Sequence, residues 1–185
     1  MNITETSLHG LYVIEPKIIE DKRGYFFESF NENKFKNAGI RVNAFVQDNQ
    51  SKSGYGVIRG LHYQLNPHAQ TKLVRVLEGE IFDVAVDIRE GSPGFGKWYG
   101  VHLSAEEKNQ LYIPRGFAHG FSVLSETAVV LYKCDDFYKP DAERGIFCFD
   151  DILNIDWQIP SEQAVISSRD QKMPVFHQAE MNFKY

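Results

Sequence analysis

Two stretches of this chain, Gly56-Val57-Ile58-Arg59-Gly60-Leu61-His62-Tyr63-Gln64 and Ile113-Pro114-Arg115-Gly116-Phe117-Ala118-His119-Gly120-Phe121, each set a His near an Arg in an apolar, strand-like run. An imidazole titrates near neutrality and a guanidinium keeps its charge, so the pairing suits a site that moves protons on an anionic ligand. Two further polar groups are aimed inward by strand alternation. In Lys72-Leu73-Val74-Arg75-Val76-Leu77, Lys72 points the same way as Val74 and Val76, which predicts an ammonium directed into a barrel interior. Tyr132 likewise shares a face with Ala128 and Val130, so its phenol is expected at the end of an apolar wall. Arg59 and His62 are three positions apart and would face opposite sides of a regular strand. A bulge at the intervening Gly60 would bring both to one pocket.

The elements that must position these groups are mostly strands. Apolar alternation rich in β-branched and aromatic residues, broken at short intervals by Gly, Pro and Asn/Asp turns, predicts an all-β antiparallel sandwich or barrel. Strands are expected over Leu11 to Ile14, Phe45 to Ser51, Gly56 to Gln64, Lys72 to Glu78 and Glu80 to Ile88. Four more are expected over Trp98 to Leu103, Gln110 to Ile113, His119 to Ser125 and Thr127 to Cys134. One helix is predicted from an Asn31 N-cap to Gly39, anchored by Phe35, and Ser104-Ala105-Glu106-Glu107 reads as a capping box opening one more turn. The stretch after Pro140 reads as irregular structure packed by Trp157 and Ile159.

At 185 residues and 43% hydrophobic, the chain has the length and composition of one well-buried core, expected as a single domain over residues 1–185. A formal charge of -5 argues against a duplex nucleic-acid binder, which needs an excess of Lys and Arg. The first residues lack the layout of a signal peptide, no run has the apolar length of a membrane helix, and a cytoplasmic protein is expected. Cys134 and Cys148 fall in no metal-ligand pairing and read as reduced, partly buried thiols.

Taken together with Arg23-Gly24-Tyr25-Phe26-Phe27-Glu28-Ser29-Phe30, Gln47-Asp48-Asn49, Lys72-Leu73-Val74-Arg75-Val76, Tyr132 and Glu143-Arg144-Gly145, the two opening stretches resemble the deoxynucleoside-diphosphate-4-keto-sugar epimerases of the cupin superfamily. The similarity runs from about Leu8 to Asp170. The resemblance implies a cupin-type jelly roll, a homodimer and a cofactor-independent enzyme. The implied reaction inverts carbons 3 and 5 of dTDP-4-dehydro-6-deoxy-glucose to give dTDP-4-dehydro-rhamnose.

Such chemistry needs a base for a hydrogen beside a ketone, a cation for the enolate oxygen and an acid on the opposite face. By its place in the motif His62 is implied as the base, with Asp170 orienting its imidazole. Lys72 is implied at the enolate oxygen, Tyr132 as the acid and His119 as support for the sugar and the Lys72 region. For the diphosphate, Arg23 and Arg59 stand beside Gly24 and Gly60, where backbone can approach closely, and Arg169 is a third candidate at a position where the family more often has Lys. Phe26 and Tyr138 are implied contacts to the nucleoside. Glu28, Gln47, Asn49 and Glu143 are implied contacts to base, sugar hydroxyls or a partner subunit.

Four other readings compete. A metal-dependent cupin would use Pro114-Arg115-Gly116-Phe117-Ala118-His119, but Gln64 stands where the second His of its first motif belongs, and the Lys72 charge repels a divalent cation; no metal is expected. A related 3,4-ketoisomerase or a single-site epimerase would share the scaffold. A non-catalytic sugar-binding cupin would have no need of base, cation and acid in one interior.

Overall fold

The computed structural model describes residues 1–40 and 44–185. Strands β1 (Asn2–Glu5) and β2 (Tyr12–Glu15) lead to a small hairpin, β3 (Ile19–Asp21) and β4 (Gly24–Phe26), and to helix α1 (Glu32–Asn37). Eight strands follow: β5 (Gln47–Gly54), β6 (Val57–Gln64), β7 (Lys72–Glu78), β8 (Glu80–Asp87), β9 (Trp98–Ser104), β10 (Gln110–Ile113), β11 (Phe117–Val123) and β12 (Thr127–Cys134). The C-terminal third adds only β13 (Glu143–Gly145), β14 (Val165–Ile166) and single turns of 3-10 helix. Neither α1 nor any other helix among the described residues is long and apolar enough to cross a membrane.

The strands form two facing sheets, one in the order β1-β2-β10-β7-β12-β5 and the other β13-β6-β11-β8-β9, with β14 alongside β6. This is the expected antiparallel jelly roll. Alternation sorts each strand's side chains between layers. Val74, Val76, Ala128 and Val130 of the first sheet meet Ile81, Ala85, Phe121 and Val123 of the second in the central core. The opposite face of β8 carries Phe82, Val84 and Val86 into a second core, which the irregular C-terminal third closes with Trp157, Ile146 and Cys148. The Trp157 indole donates to the Cys148 carbonyl at 2.7 Å, and the Ser122 hydroxyl donates to the Trp157 carbonyl at 2.7 Å, so that segment is pinned as well as packed. On the far side of the first sheet, α1 buries Phe35 against Leu73, Ile14 and Tyr112.

The predicted helix is present with Asn31 as its cap, the side chain accepting from the Lys34 N–H. At Ser104 the hydroxyl accepts from the Glu107 N–H at 3.0 Å and opens a single turn. Strands β2 and β6 begin one residue later than predicted, and two others begin two residues away from the predicted start. β11 starts at Phe117, because the positive-φ Gly116 ends the preceding turn and Phe117 already pairs with Asp87; β5 runs from Gln47 to Gly54, set by its pairing with β12. The β3–β4 hairpin, β13 and β14 are only two or three residues a strand and carry too short a pattern to be read from sequence.

The bulge expected at Gly60 is present. His119 pairs with His62 and Phe121 with Arg59, so two steps along β11 span three along β6. Arg59 and His62 consequently line one cavity. Gly60 has φ 125°, and a Cβ there would stand 2.5 Å from the Gly120 Cα and 2.7 Å from the His119 carbonyl oxygen. Only glycine fits. Replacing Gly60 with Ala is expected to destabilise the fold by about 2–5 kcal/mol through strain and overpacking. Urea denaturation tests this, and an unchanged midpoint would mean that the bulge tolerates a side chain.

Candidate active site

At one end of the sandwich the apolar filling gives way to polar groups around two adjoining cavities of about 460 and 330 Å³. His62, Lys72 and Tyr132 line both cavities and so mark their junction. Arg59, His119, Arg169 and Asp170 line the larger one. Gln47, Asn49, Tyr138 and Glu143 line the smaller one. His62 comes from β6 in one sheet, whereas Lys72 and Tyr132 come from β7 and β12 in the other. The cavity therefore has an imidazole on one wall and an ammonium and a phenol on the facing wall. The Lys72 Nζ lies 5.8 Å from the centre of the Tyr132 ring.

His62 Nε2 donates to Asp170 Oδ1 at 2.8 Å, with the Asp170 side chain 6% exposed. Burial would raise the Asp170 carboxyl, but the hydrogen bond and charge of His62, helped by the Gly60 N–H and Ser167, hold it below the ordinary carboxylate range. On the opposite wall, burial pushes the Lys72 ammonium down, against the pull of Cys134, Asp83 and Glu143. Burial and the neighbouring Cys134 push the Tyr132 phenol up, with Arg59 acting the other way, so the phenol keeps its proton at neutral pH.

The cavity mouth is tied together by carboxylate bridges. Tyr138 Oη donates to Glu143 Oε2 at 2.5 Å, and Arg169 reaches the same oxygen at 2.5 Å. Gln47 accepts from the Tyr138 N–H at 2.9 Å and donates to Asn49 Oδ1 at 3.0 Å. Arg59 donates from Nε to the Ser53 hydroxyl at 3.0 Å. That leaves the rest of its fork for a ligand.

Arg23, Phe26 and Glu28 stand apart from this cluster. Arg23 and Phe26 line a separate concavity on the β3–β4 hairpin, where Arg23 pairs with Asp21 at 2.5 Å and Phe26 is 70% exposed. Glu28 pairs with Lys34 at 2.6 Å. Asp83, which sequence reasoning passed over, is fully buried beside the site and accepts from His119 Nε2 at 2.7 Å. A carboxylate alternating with Ile81 and Ala85 on an inward face was the available signal. Gln64 is buried with its amide spent on backbone, donating to the His68 and Phe137 carbonyls and accepting from the Lys139 N–H. Among the described residues no cluster of three or more His, Cys, Asp or Glu is arranged to hold a metal ion.

Because the folded-state pKa of Asp170 lies below its unfolded value of ~3.9, its contribution to stability is fully present above that value and is lost as pH falls through the folded pKa. The stability gap between the wild-type protein and Asp170→Asn should thus be wide at pH 7 and shrink by pH 3. Urea titrations at both values check this; a gap independent of pH would show that the carboxylate charge contributes nothing.

Sequence and backbone comparisons relate the chain to known proteins. Residues 5–178 match the family of dTDP-4-dehydrorhamnose 3,5-epimerase. A dTDP-4-dehydrorhamnose 3,5-epimerase from Shigella flexneri is 55% identical over 170 residues, spanning 92% of this chain and 93% of that protein. The crystal structure of dTDP-4-dehydrorhamnose 3,5-epimerase from Elizabethkingia anophelis aligns with a TM-score of 0.92 at 55% identity, covering 96% of this chain and 97% of the other. A dTDP-6-deoxy-D-glucose-3,5-epimerase from Legionella pneumophila, solved with dTDP-4-keto-L-rhamnose, aligns with a TM-score of 0.93 at 49% identity over 100% of this chain and 98% of the other. With sequence and backbone matched along nearly its whole length, the chain belongs to the dTDP-4-dehydrorhamnose 3,5-epimerase family.

Proposed function

We propose that this enzyme inverts carbons 3 and 5 of dTDP-4-dehydro-6-deoxy-D-glucose, giving dTDP-4-dehydro-L-rhamnose in dTDP-L-rhamnose biosynthesis. The observation that carries the reading is the convergence of His62, Lys72 and Tyr132 on one junction from opposite sheets. With Nε2–H held by Asp170, the Nδ1 lone pair of His62 is the base. It removes the hydrogen from a carbon beside the ketone, and the bonding electrons move onto the ketone oxygen as an enolate. The Lys72 ammonium stabilises that oxygen. The enolate then collapses while the Tyr132 phenol delivers a proton to the same carbon from the facing wall, which inverts the centre. Tyr132 is reprotonated and His62 gives up its proton before the second carbon reacts. Asp170 stabilises the imidazolium formed on the way, as a carboxylate does in a catalytic triad.

Arg59 and Arg169 flank the larger cavity and fit the diphosphate, and Tyr138 offers a ring to the nucleobase. Arg23 and Phe26 fit this scheme in a homodimer, with the exposed hairpin of one protomer reaching the cavity of its partner. Ile19, Tyr25 and Phe26 at 56%, 60% and 70% exposure support that reading, since an apolar hairpin edge calls for a cover. The buried, unpaired Cys134 and Cys148 fit a reducing, cytoplasmic setting.

His62→Asn should lower kcat with dTDP-4-dehydro-6-deoxy-glucose by about 10²–10⁴, and Arg23→Ala should also impair turnover. Mixing the two variants then separates the arrangements: a dimer of one of each rebuilds one intact site, so activity should return to about a quarter of wild type after random exchange. Turnover by neither the wild type nor the mixture would refute the reaction. Turnover by the wild type with no recovery on mixing would refute a site completed by the partner's hairpin.

A further inference from the structure

Behind the cavity lies a carboxylate that the reaction outlined above does not use. Asp83 shares the inward face of β8 with Ile81 and Ala85, both in the core between the sheets, and is itself fully buried. Its Oδ1 accepts from His119 Nε2 at 2.7 Å, while Oδ2 has no hydrogen-bond partner among the described residues. Lys72 enters the same space from the opposing sheet on the face of Val74 and Val76, and it lines the larger cavity together with His119. A buried carboxylate with one oxygen lacking a hydrogen bond is tolerable where a positive charge lies close by.

The groups around Lys72 identify that charge pair. β12 contributes Tyr132 and Cys134, β6 contributes Arg59 and His62, β11 contributes His119 and β13 contributes Glu143, while β10 sets the apolar Ile113 opposite. Of the carboxylates, Glu143 is held by Tyr138 and Arg169, and Asp170 is held by His62. Among the described residues, Asp83 is the remaining carboxylate that acts on Lys72. Resting on the epimerase reading of this site, we propose that Asp83 is a positioning residue, the buried counter-ion that keeps Lys72 an ammonium and fixes His119 as its Nε2–H tautomer. The His119 Nδ1 is then an acceptor, open to the Lys72 ammonium or to a sugar hydroxyl.

The electrostatics run in the same direction. Burial pushes the Lys72 ammonium down and the attraction of Asp83 is among the forces opposing it. Burial likewise pushes His119 below its ordinary value, with Asp83 opposing and Lys72 and His62 adding to the depression. At neutral pH His119 is therefore an uncharged ring whose one N–H is spent on Asp83.

Lysine labelled with carbon-13 at Cε reports the Lys72 titration in ligand-free protein, the signal being assigned by its loss in Lys72→Met. In Asp83→Asn the Lys72 midpoint should fall by about one pH unit or more, and the basic limb of kcat/KM should move to lower pH with it. A purely structural Asp83 would lower the melting temperature and leave both unmoved, which would overturn the proposal. Nitrogen-15 spectra of wild-type His119 need no variant: a neutral Nε2–H ring at pH 7 is expected, and an Nδ1–H or charged ring would contradict the proposal. Both spectroscopic arms use protein without substrate. Absence of wild-type turnover would remove the substrate assignment and leave the Asp83 result standing.

Discussion

An ammonium facing two imidazoles inside the end of a β-sandwich is the constraint on which this structure depends. Apolar packing between the sheets supplies the stability, yet Lys72, His62 and His119 must lie where that packing would otherwise continue. The space stays in balance because each nearby carboxylate has an assigned cation or imidazole. Asp170 faces His62, Glu143 faces Arg169, and Asp83 faces His119 with Lys72 beyond it. Removing Asp83 takes away one of the negative charges that oppose the effect of burial on the Lys72 ammonium.

Chemistry at the junction follows from the sheets being two separate walls. An imidazole on β6 and a phenol on β12 line the cavity from different sheets without either strand having to bend around it. The exception is local: Gly60 bulges β6 so that Arg59 joins His62 in the cavity. The C-terminal third completes the base, because Asp170 is 108 residues from His62 in the chain. Trp157, pinned against the outer core, and β14, paired along β6, hold that segment in place. The His62–Asp170 contact thus depends on the segment that covers the second sheet.

Much of this was legible in the sequence because β6 to β12 carry apolar, β-branched and aromatic runs whose alternation can be read, whereas β5 is polar throughout and is set by its pairing with β12. That same alternation placed Lys72 and Tyr132 on inward faces, and the three-residue spacing of Arg59 and His62 around a glycine located the bulge. Asp170 sits in a stretch without periodicity, so only the resemblance to known epimerases tied it to His62. The β3–β4 hairpin escaped because Ile19–Asp21 is exposed throughout and shows no buried face to read. Asp83 lay in a correctly read strand and was still missed, since a lone carboxylate in an apolar run signals a partner without naming it. Arg23 and Phe26 line a separate concavity and Glu28 pairs with Lys34, and it was the resemblance to known epimerases, not the alternation, that grouped them with the cavity residues.

The most direct test of the two-wall mechanism is solvent exchange. Incubated in deuterium oxide with dTDP-4-dehydro-6-deoxy-glucose, the enzyme should give dTDP-4-dehydro-rhamnose carrying deuterium at both carbon 3 and carbon 5, read by mass spectrometry and NMR. Product labelled at one carbon only, or inverted without label at either, would contradict a base and an acid that act in turn on both centres.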